Sequence, residues 1–243
     1  MTARDPRALR VLAWNLWELR GDLRAAIDAI RDLDPDVLLM QEAPRFVLPT
    51  VRLRWFASQV GMDVLVGGAG GRGLAILAGE RAAAQVIRRG MHAVRQQITD
   101  MNSTYPRGVA AVRLSVPGGG AVVVSSIHFA LQEPNRLAHA RHLAELVRGA
   151  GCPVIAGGDL NEEATGAART LLEPLLRDPA PQSELTFPAR RPQRRIDAVL
   201  VTDGIRVHEA HAVTSTRTVA ADRLREASDH LPTLVDVSVP RAH

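Results

Sequence analysis

The sequence predicts an α/β fold of the α+β type, with mixed and largely antiparallel sheets. Nine short apolar runs rich in β-branched residues recur along the chain, and fewer stretches show helical periodicity, so strands outnumber helices. Glycine-rich turns join some neighbouring runs, which is typical of β-hairpins. These observations favour antiparallel pairing over a doubly wound parallel sheet.

The individual elements follow from the same patterns. The predicted strands are Leu9–Trp14, Asp36–Met40, Val64–Val66, Leu74–Leu77, Val109–Val116, Ala121–Ile127, Val154–Ala156, Ile196–Val201 and Leu234–Val239. Apolar residues return at helix spacing in Asp22–Leu33 and Asn135–Val147, and a third helix is expected around Thr165–Leu176.

Three segments are expected to be turns or loops. Gly67–Gly73 has no lysine and leads into a strand, so we interpret it as a hairpin loop and not as a phosphate-binding loop. Pro117–Gly120 is a second hairpin turn. Arg88–Arg107 is the least regular interior segment and could form a loop beside an active site.

Length and composition indicate one globular domain over residues 1–243, with its core between about residues 9 and 239. Of 243 residues, 46% are hydrophobic, which is enough for a sizeable core. The sequence has no apolar run of membrane-spanning length and no apolar signal-peptide segment after its charged N-terminal residues. We therefore expect a cytoplasmic monomer without a membrane segment.

Charge and cysteine content exclude some classes of protein. The single Cys152 cannot form an internal disulfide or a thiol-rich zinc site. Every basic side chain apart from histidine is arginine, and the net charge is only +4. Because only 3% of the residues are aromatic, a metal-independent module that stacks nucleic-acid bases is disfavoured.

Polar residues flank the predicted strands in the second half of the chain. One strand runs into Gly157–Asn161 (Gly-Gly-Asp-Leu-Asn), where Asp159 and Asn161 are two residues apart and point the same way. Arg195–Asp197 opens another strand, and Ser228–His230 precedes the last one. Each segment alone has a structural explanation, since a strand-end Asp often caps a turn and a lone histidine is often structural.

In the first half, Asn15, Glu42 and His128 also follow or end predicted strands. The whole succession resembles the endonuclease/exonuclease/phosphatase superfamily, whose motifs are a strand-end Asn, Gln-Glu, Thr-His, Gly-Asp-Leu-Asn, Arg-Ile-Asp and Ser-Asp-His in this order. The resemblance covers about Leu9 to Val239, and Ile127 replaces the usual Thr before the histidine.

The resemblance implies a DNase I-like, four-layer α/β/β/α sandwich of two facing mixed sheets, with the site at one end. It also implies a metal centre in which Glu42 is the main carboxylate ligand, Asn15 lies beside it and Asp229 is a further or water-mediated ligand. Such hard oxygen ligands suit Mg²⁺ or Mn²⁺ and not zinc.

Catalytic roles are implied in the same way. Asp159 and Asn161 match the pair that positions and deprotonates the attacking water and holds the phosphoryl oxygens, so Asn161 is also expected to bind phosphate. His230 matches the histidine that contacts the scissile phosphate. Asp197 matches the carboxylate that orients this histidine and would raise its pKa. The sequence leaves open whether Asp159 or His230 is the base, and we favour Asp159.

Two further residues are expected at the phosphate. His128 would bind phosphate and help to protonate the leaving group. Arg107 resembles a basic family position that can reach the phosphate, but a solvated loop arginine is an equal alternative. The helix residues Arg136, His139, Arg141 and His142 are expected at the surface.

The resulting functional hypothesis is a Mg²⁺- or Mn²⁺-dependent phosphoesterase, and within that class a phosphodiesterase or nuclease. Nucleic acid would be its most abundant diester in the cytoplasm, although the modest charge argues against this partner. One alternative is an enzyme for a small nucleotide, inositol, sugar or lipid phosphate. The other is a non-catalytic binding protein, but none of Glu42, Asp159 and His230 is missing.

Overall fold

The computed structural model describes residues 8–97 and 107–241 of the chain. In these residues eleven strands form two sheets. The strands are β1 (Ala8–Asn15), β2 (Val37–Gln41), β3 (Asp63–Val66), β4 (Leu74–Ala78), β5 (Val86–Val94), β6 (Arg107–Ser115), β7 (Ala121–His128), β8 (Val154–Asp159), β9 (Asp197–Val201), β10 (Arg206–Ala212) and β11 (Thr233–Ser238). The helices are α1 (Leu23–Leu33), α2 (Pro49–Gln59), α3 (Glu80–Ala83), α4 (Glu133–Gly149), α5 (Ala167–Leu172) and α6 (Ala221–Ala227).

The sheets are mixed and largely antiparallel, as predicted. One has the strand order β10-β11-β1-β2-β4-β3, and the other has the order β5-β6-β7-β8-β9. Among the described strands only β1–β2 and β7–β8 pair in parallel. Gly67–Gly73 joins antiparallel β3 and β4, and Pro117–Gly120 joins antiparallel β6 and β7, which confirms both predicted hairpins.

Buried apolar side chains hold four layers together. The inner faces of the two sheets pack against each other through a cluster of mostly aliphatic residues. Helices α1, α2 and α6 cover the outer face of the six-stranded sheet through residues such as Ile30, Phe56 and Leu224. Leu143 of α4 and Leu172 of α5 cover the five-stranded sheet. Removal of these surfaces from water stabilises the predicted α/β/β/α sandwich.

All nine predicted strands are confirmed, but β5 and β10 were missed. Both lie at a sheet edge, where exposed polar side chains interrupt the apolar pattern. The expectation that Arg88–Arg107 is irregular was therefore wrong for the part within β5, while residues 98–106 of that segment lie outside the described residues. Helices α2, α3 and α6 were also missed. Within the described ranges no helix is long and apolar enough to cross a membrane.

The expected surface position of the α4 side chains was wrong at His139 and only partly right at Arg136 and His142, which are half-buried. His139 is buried, and its Nδ1 accepts a hydrogen bond from the backbone N–H of Ala130 at 3.1 Å. The Arg136 guanidinium pairs with buried Glu162 at 2.8 Å. Arg141 is exposed as expected. The corrections at His139 and Arg136 have one cause, since α4 packs its first half against the loops that follow β7 and β8.

Candidate active site

The predicted site residues converge at one end of the sandwich. Parallel β1 ends at Asn15 beside the end of β2, and Glu42 follows β2 directly. In the facing sheet, parallel β7 and β8 end side by side at His128 and Asp159. Antiparallel β9 begins at Asp197, which pairs with Asp159. Residues far apart in the sequence thus share one edge because of strand direction and register.

His230 lies between two buried carboxylates. Its Nδ1 is 2.9 and 3.1 Å from the two carboxylate oxygens of Asp197, and its Nε2 is 3.7 Å from Oδ2 of Asp159. Burial disfavours the imidazolium, but the charges of both carboxylates and the hydrogen bond to Asp197 outweigh it and raise the pKa of His230 to about 10. The ring is therefore protonated at neutral pH and donates from Nδ1 to Asp197.

Asp159 is held by neighbours on three sides. Its carboxylate accepts hydrogen bonds from Asn15 Nδ2 at 3.1 Å and from the backbone N–H of Asn161 at 2.8 Å, and His128 Nε2 lies 3.4 Å away. Burial raises the pKa of Asp159 to about 6, although His230 and these hydrogen bonds oppose the shift. A positioned carboxylate with a pKa just below neutrality is suited to accept a proton from water.

The segment that carries His230 is fixed against β1. The indole N–H of Trp14 donates to the carbonyl oxygen of His230 at 2.8 Å, and the Ser228 hydroxyl donates to the carbonyl oxygen of Asn15 at 2.6 Å. The Phe187 ring packs beside the imidazole with 4.6 Å between ring centroids. These contacts position the imidazole before any ligand arrives.

Glu42 borders a small cavity at the same edge. Its φ of +46° is left-handed, which bends the chain away from β2 immediately after the strand. Arg45, Arg72, Arg107 and His128 line the cavity with it. Among the described residues the Glu42 carboxylate makes no hydrogen bond or ion pair. It is thus available to an incoming cation.

Arg107 and His128 form the wall of this cavity. Burial lowers the pKa of Arg107, with Asp159 and Glu42 opposing the shift, and its Nη1 approaches the carbonyl oxygen of His128 at 3.4 Å. Arg107 is therefore not a solvated loop residue. Burial, reinforced by Arg107 and His230, lowers the pKa of His128 well below its usual range, so its imidazole is neutral.

By their chemistry, the side chains predicted as ligands at Glu42 suit a hard divalent cation. The Oδ1 of Asn15 accepts from the backbone N–H of Trp17 at 3.1 Å and keeps a second lone pair. Asp229 is half-buried, and its Oδ1 is 3.3 Å from the hydroxyl of Ser228. Carboxylate and amide oxygens of this kind are preferred ligands of Mg²⁺ and Mn²⁺.

A second group of potential ligands fits a cation less well. Asp159, Asp197 and His230 place ligand atoms within 4.8 Å of one another. The Nδ1–H of His230 already donates to Asp197, so these two ligand atoms are engaged with each other. One imidazolium offsets only one of the two carboxylate charges, so the cluster can bind a water molecule through the Asp159 carboxylate and the Nε2–H of His230.

Asn161 fixes the shape of the loop after β8 and also brings an amide group to the site. It has a φ of +51°, and its Nδ2 donates to the carbonyl oxygen of Phe129 at 3.0 Å. This bond ties the loop after β8 to the loop after β7. Among the described residues its Oδ1 accepts no hydrogen bond, which is compatible with the predicted contact to water or to a phosphoryl oxygen.

Sequence reasoning missed the residues that join the two sheets under the site. The amide of buried Gln41 donates to the Ser126 hydroxyl at 2.9 Å, and this hydroxyl donates to the carbonyl oxygen of Met40 at 3.0 Å. Gly158 has a φ of +151°, and a Cβ there would lie 1.9 Å from the carbonyl oxygen of Ile127. The sequence did contain one signal of this connection, which is the polar residue Gln41 at the end of the long apolar run of β2.

The arginine of the Arg-Ile-Asp motif is structural. Arg195 is buried and pairs with Asp178 through two hydrogen bonds of 2.7 and 3.1 Å. Arg169 also pairs with Asp178. The three side chains anchor the segment before β9, and this anchoring fixes the start of the strand that presents Asp197.

Comparisons with known proteins give a family match that spans most of the chain. A family model described as the Endonuclease/Exonuclease/phosphatase family matches residues 12–230. No curated protein sequence matches the chain.

Several solved structures share the fold. The endonuclease/exonuclease/phosphatase from Bacteroides vulgatus is 16% identical with a TM-score of 0.74, and the match covers 96% of this chain and 99% of that one. A functionally unknown conserved protein from Enterococcus faecalis V583 is 20% identical with a TM-score of 0.76, covering 95% and 100%. A mannosyl-6-phosphatase from Bacteroides thetaiotaomicron VPI-5482 is 18% identical with a TM-score of 0.71, covering 94% and 99%. Likeness at these identities shows the DNase I-like fold alone.

Proposed function

The chain belongs to the endonuclease/exonuclease/phosphatase family, and on that premise we propose that it is a Mg²⁺- or Mn²⁺-dependent phosphoesterase that hydrolyses a phosphodiester. One observation carries the proposal. A carboxylate suited to accept a proton, Asp159, lies 3.7 Å from the protonated ring of His230, so a base and a positive charge face the same small volume.

In the proposed reaction Asp159 accepts a proton from the attacking water, and Asn161 orients that water. His230 donates a hydrogen bond from Nε2 to a non-bridging phosphoryl oxygen and places positive charge where negative charge grows. Asp197 keeps this ring protonated. Asn15 holds the Asp159 carboxylate in place through its Nδ2.

Arg107 and His128 would complete the phosphate pocket. The guanidinium of Arg107 supplies a second positive charge, and the neutral imidazole of His128 supplies a hydrogen bond. The P–O bond to the leaving group breaks as the bond from the water oxygen to phosphorus forms. We do not retain His128 as the acid for the leaving group, because a histidine with so low a pKa carries no proton to give at neutral pH. The departing alkoxide takes its proton from solvent water, and Asp159 returns its proton to solvent.

Glu42, Asn15 and Asp229 are the residues that would hold the divalent cation. When bound, it would act as a Lewis acid beside the scissile phosphate. Nucleic acid as the diester stays a prediction, since the positive charge of Arg107 attracts the anion of any phosphate ester and does not distinguish among them.

The test compares hydrolysis of bis-p-nitrophenyl phosphate and p-nitrophenyl phosphate in Mg²⁺, in Mn²⁺ and after chelation. We expect cleavage of the diester that chelation abolishes. The exposed carboxylate variant Asp203→Asn serves as the matched control for Asp159→Asn. Parental turnover in Asp159→Asn, or undiminished turnover in chelator, would refute the proposal.

A further inference from the structure

A group of large apolar side chains is exposed beside the candidate site. We call it the apolar patch, and it consists of Trp17, Phe46, Val47, Leu48, Val51 and Trp55. Their exposed fractions range from 40% at Trp17 to 80% at Val47. Trp17 follows the end of β1, and the other five follow the end of β2. The two segments are in contact, because Arg52 of α2 donates to the carbonyl oxygen of Glu18 at 3.2 Å. Single exposed apolar residues are common, but a group at one place marks an interaction surface.

Helix α2 is apolar on two opposite sides. Its inner side packs Leu53 and Phe56 into the core. Leu48, Val51 and Trp55 are spaced by three and four residues, so they share the opposite side and face solvent. A helix that only covers the sheet would carry polar residues there.

The loop before α2 presents its apolar residues in an unfavourable backbone conformation. Val47 has a φ of +39°, and Leu48 has a φ of +53°. Left-handed conformations are costly for a β-branched residue, and asparagine or glycine adopts them more easily. Core packing does not explain the choice of valine, because its side chain is 80% exposed.

The surroundings of the apolar patch are basic. Residues 43–59 contain three arginines and no acidic residue. Of these arginines, Arg52 and Arg54 are exposed on α2. Glu18, next to Trp17, pairs with both Arg20 and Arg45 at 2.9 Å, so one carboxylate is shared by two guanidinium groups. The rim therefore carries excess positive charge.

We propose that the apolar patch docks the protein onto a lipid bilayer that contains anionic phospholipids. Tryptophan favours the boundary between head groups and acyl chains, the aliphatic side chains enter the apolar layer, and the arginines meet lipid phosphates. Val47, Leu48 and Val51 have no aromatic face, so the surface suits acyl chains better than unpaired bases. The candidate site would then face the membrane. This inference goes beyond the proposed hydrolysis, because docking needs no turnover.

Sedimentation with vesicles tests the inference directly. The full chain is mixed with vesicles of phosphatidylcholine alone, or of phosphatidylcholine with phosphatidylglycerol, and tryptophan emission is recorded in parallel. We expect co-sedimentation with the anionic vesicles, a blue shift of the emission, and weaker binding at high salt. Two of the three tryptophans lie in the apolar patch, and the third, Trp14, is buried and constant.

The double variant Val47→Asn/Leu48→Asn should bind anionic vesicles at least about tenfold more weakly, because each change removes an inserted aliphatic chain. Asparagine tolerates the left-handed backbone, so folding is kept. Ile87→Asn is the matched control, since Ile87 is 56% exposed on β5, outside the apolar patch. Its vesicle binding should equal that of the parent.

Hydrolysis of water-soluble bis-p-nitrophenyl phosphate should be parental in all these variants. If the parent lacks that activity, the proposed function fails while the docking result stands by itself. Docking is overturned if the parent does not sediment with anionic vesicles or if the double variant binds them as well as the parent does. Binding of a single-stranded oligonucleotide and self-association are measured for the same proteins. Docking is equally overturned if the double variant loses one of these two properties and keeps its binding to anionic vesicles.

Discussion

Replacing Asp197 by Asn should make turnover depend on pH in a way that the parent does not. In the parent, Asp197 and Asp159 raise the pKa of His230 to about 10, so the ring stays protonated up to that pH. The variant loses the charge of Asp197 and the acceptor of the Nδ1 hydrogen bond, while the burial that lowers this pKa remains.

The size of the effect follows from the proton equilibrium. If the pKa of His230 returns to its ordinary 6.5, about half of the rings are protonated at pH 6.5 and about 1% at pH 8.5. Turnover relative to the parent should then fall about twofold at pH 6.5 and about 100-fold at pH 8.5. Two opposing effects remain in the variant, since burial lowers the pKa of His230 while the charges of Asp159 and Asp229 raise it.

The assay is hydrolysis of bis-p-nitrophenyl phosphate from pH 6 to pH 9 at saturating Mg²⁺ or Mn²⁺, with the histidine ring titrated by NMR. Asp203→Asn, which changes an exposed carboxylate, is the control for the substitution itself. A variant whose profile runs parallel to that of the parent over this range would show that Asp197 does not act through the charge of His230.

Three further outcomes are expected. His230→Ala and Asp159→Asn should each lower turnover on the order of 10² to 10⁴ with unchanged circular dichroism, and near-parental turnover in either would remove that residue from the mechanism. Glu42→Ala should keep the fold and lose most Mn²⁺ affinity by calorimetry, and parental affinity would contradict its role as a ligand. The third outcome concerns stability and the carboxyl group of Asp32. Desolvation by burial raises the pKa of Asp32, but hydrogen bonds from Thr218 and Thr216 outweigh it and lower this pKa to about 2. Because the folded pKa is depressed, its contribution is present above about pH 4 and is lost as the pH falls towards 2. Asp32→Ala should cost about 1–2 kcal/mol at pH 7, allowing for solvent screening, and the difference should narrow in acid, as urea unfolding at each pH would show.

The sequence predicted the elements whose side chains are buried and missed those that are not. The strands of both sheet centres are nearly continuous apolar runs, because each is covered on both faces. Strand β5 carries Arg88 and Arg89 at a sheet edge, where it has only one neighbour among the described strands and apolar residues are not required. Helix α2 was not predicted because its apolar residues lie on two opposite sides and do not form the single apolar stripe that indicates a helix.

For the site, the order of strand-end polar residues sufficed to name the family, since Asp159, His230 and Glu42 occur in family order. Sequence order could not show which of them touch. The contact between Asp197 and His230 joins residues 33 positions apart. It exists because β9 pairs antiparallel with β8 and because Trp14 fixes the backbone of His230.

What the sequence determined by itself is the fold class, the inner strands and the identity of the chemical groups at the strand ends, because local patterns encode burial and residue type. Only the tertiary structure decided the protonation states of these groups and which residues are buried. Burial and neighbouring charge make His230 cationic and His128 neutral, although both are histidines beside strand ends. Packing also buried His139 and left Val47 exposed, since burial depends on which surface the folded chain places opposite each residue.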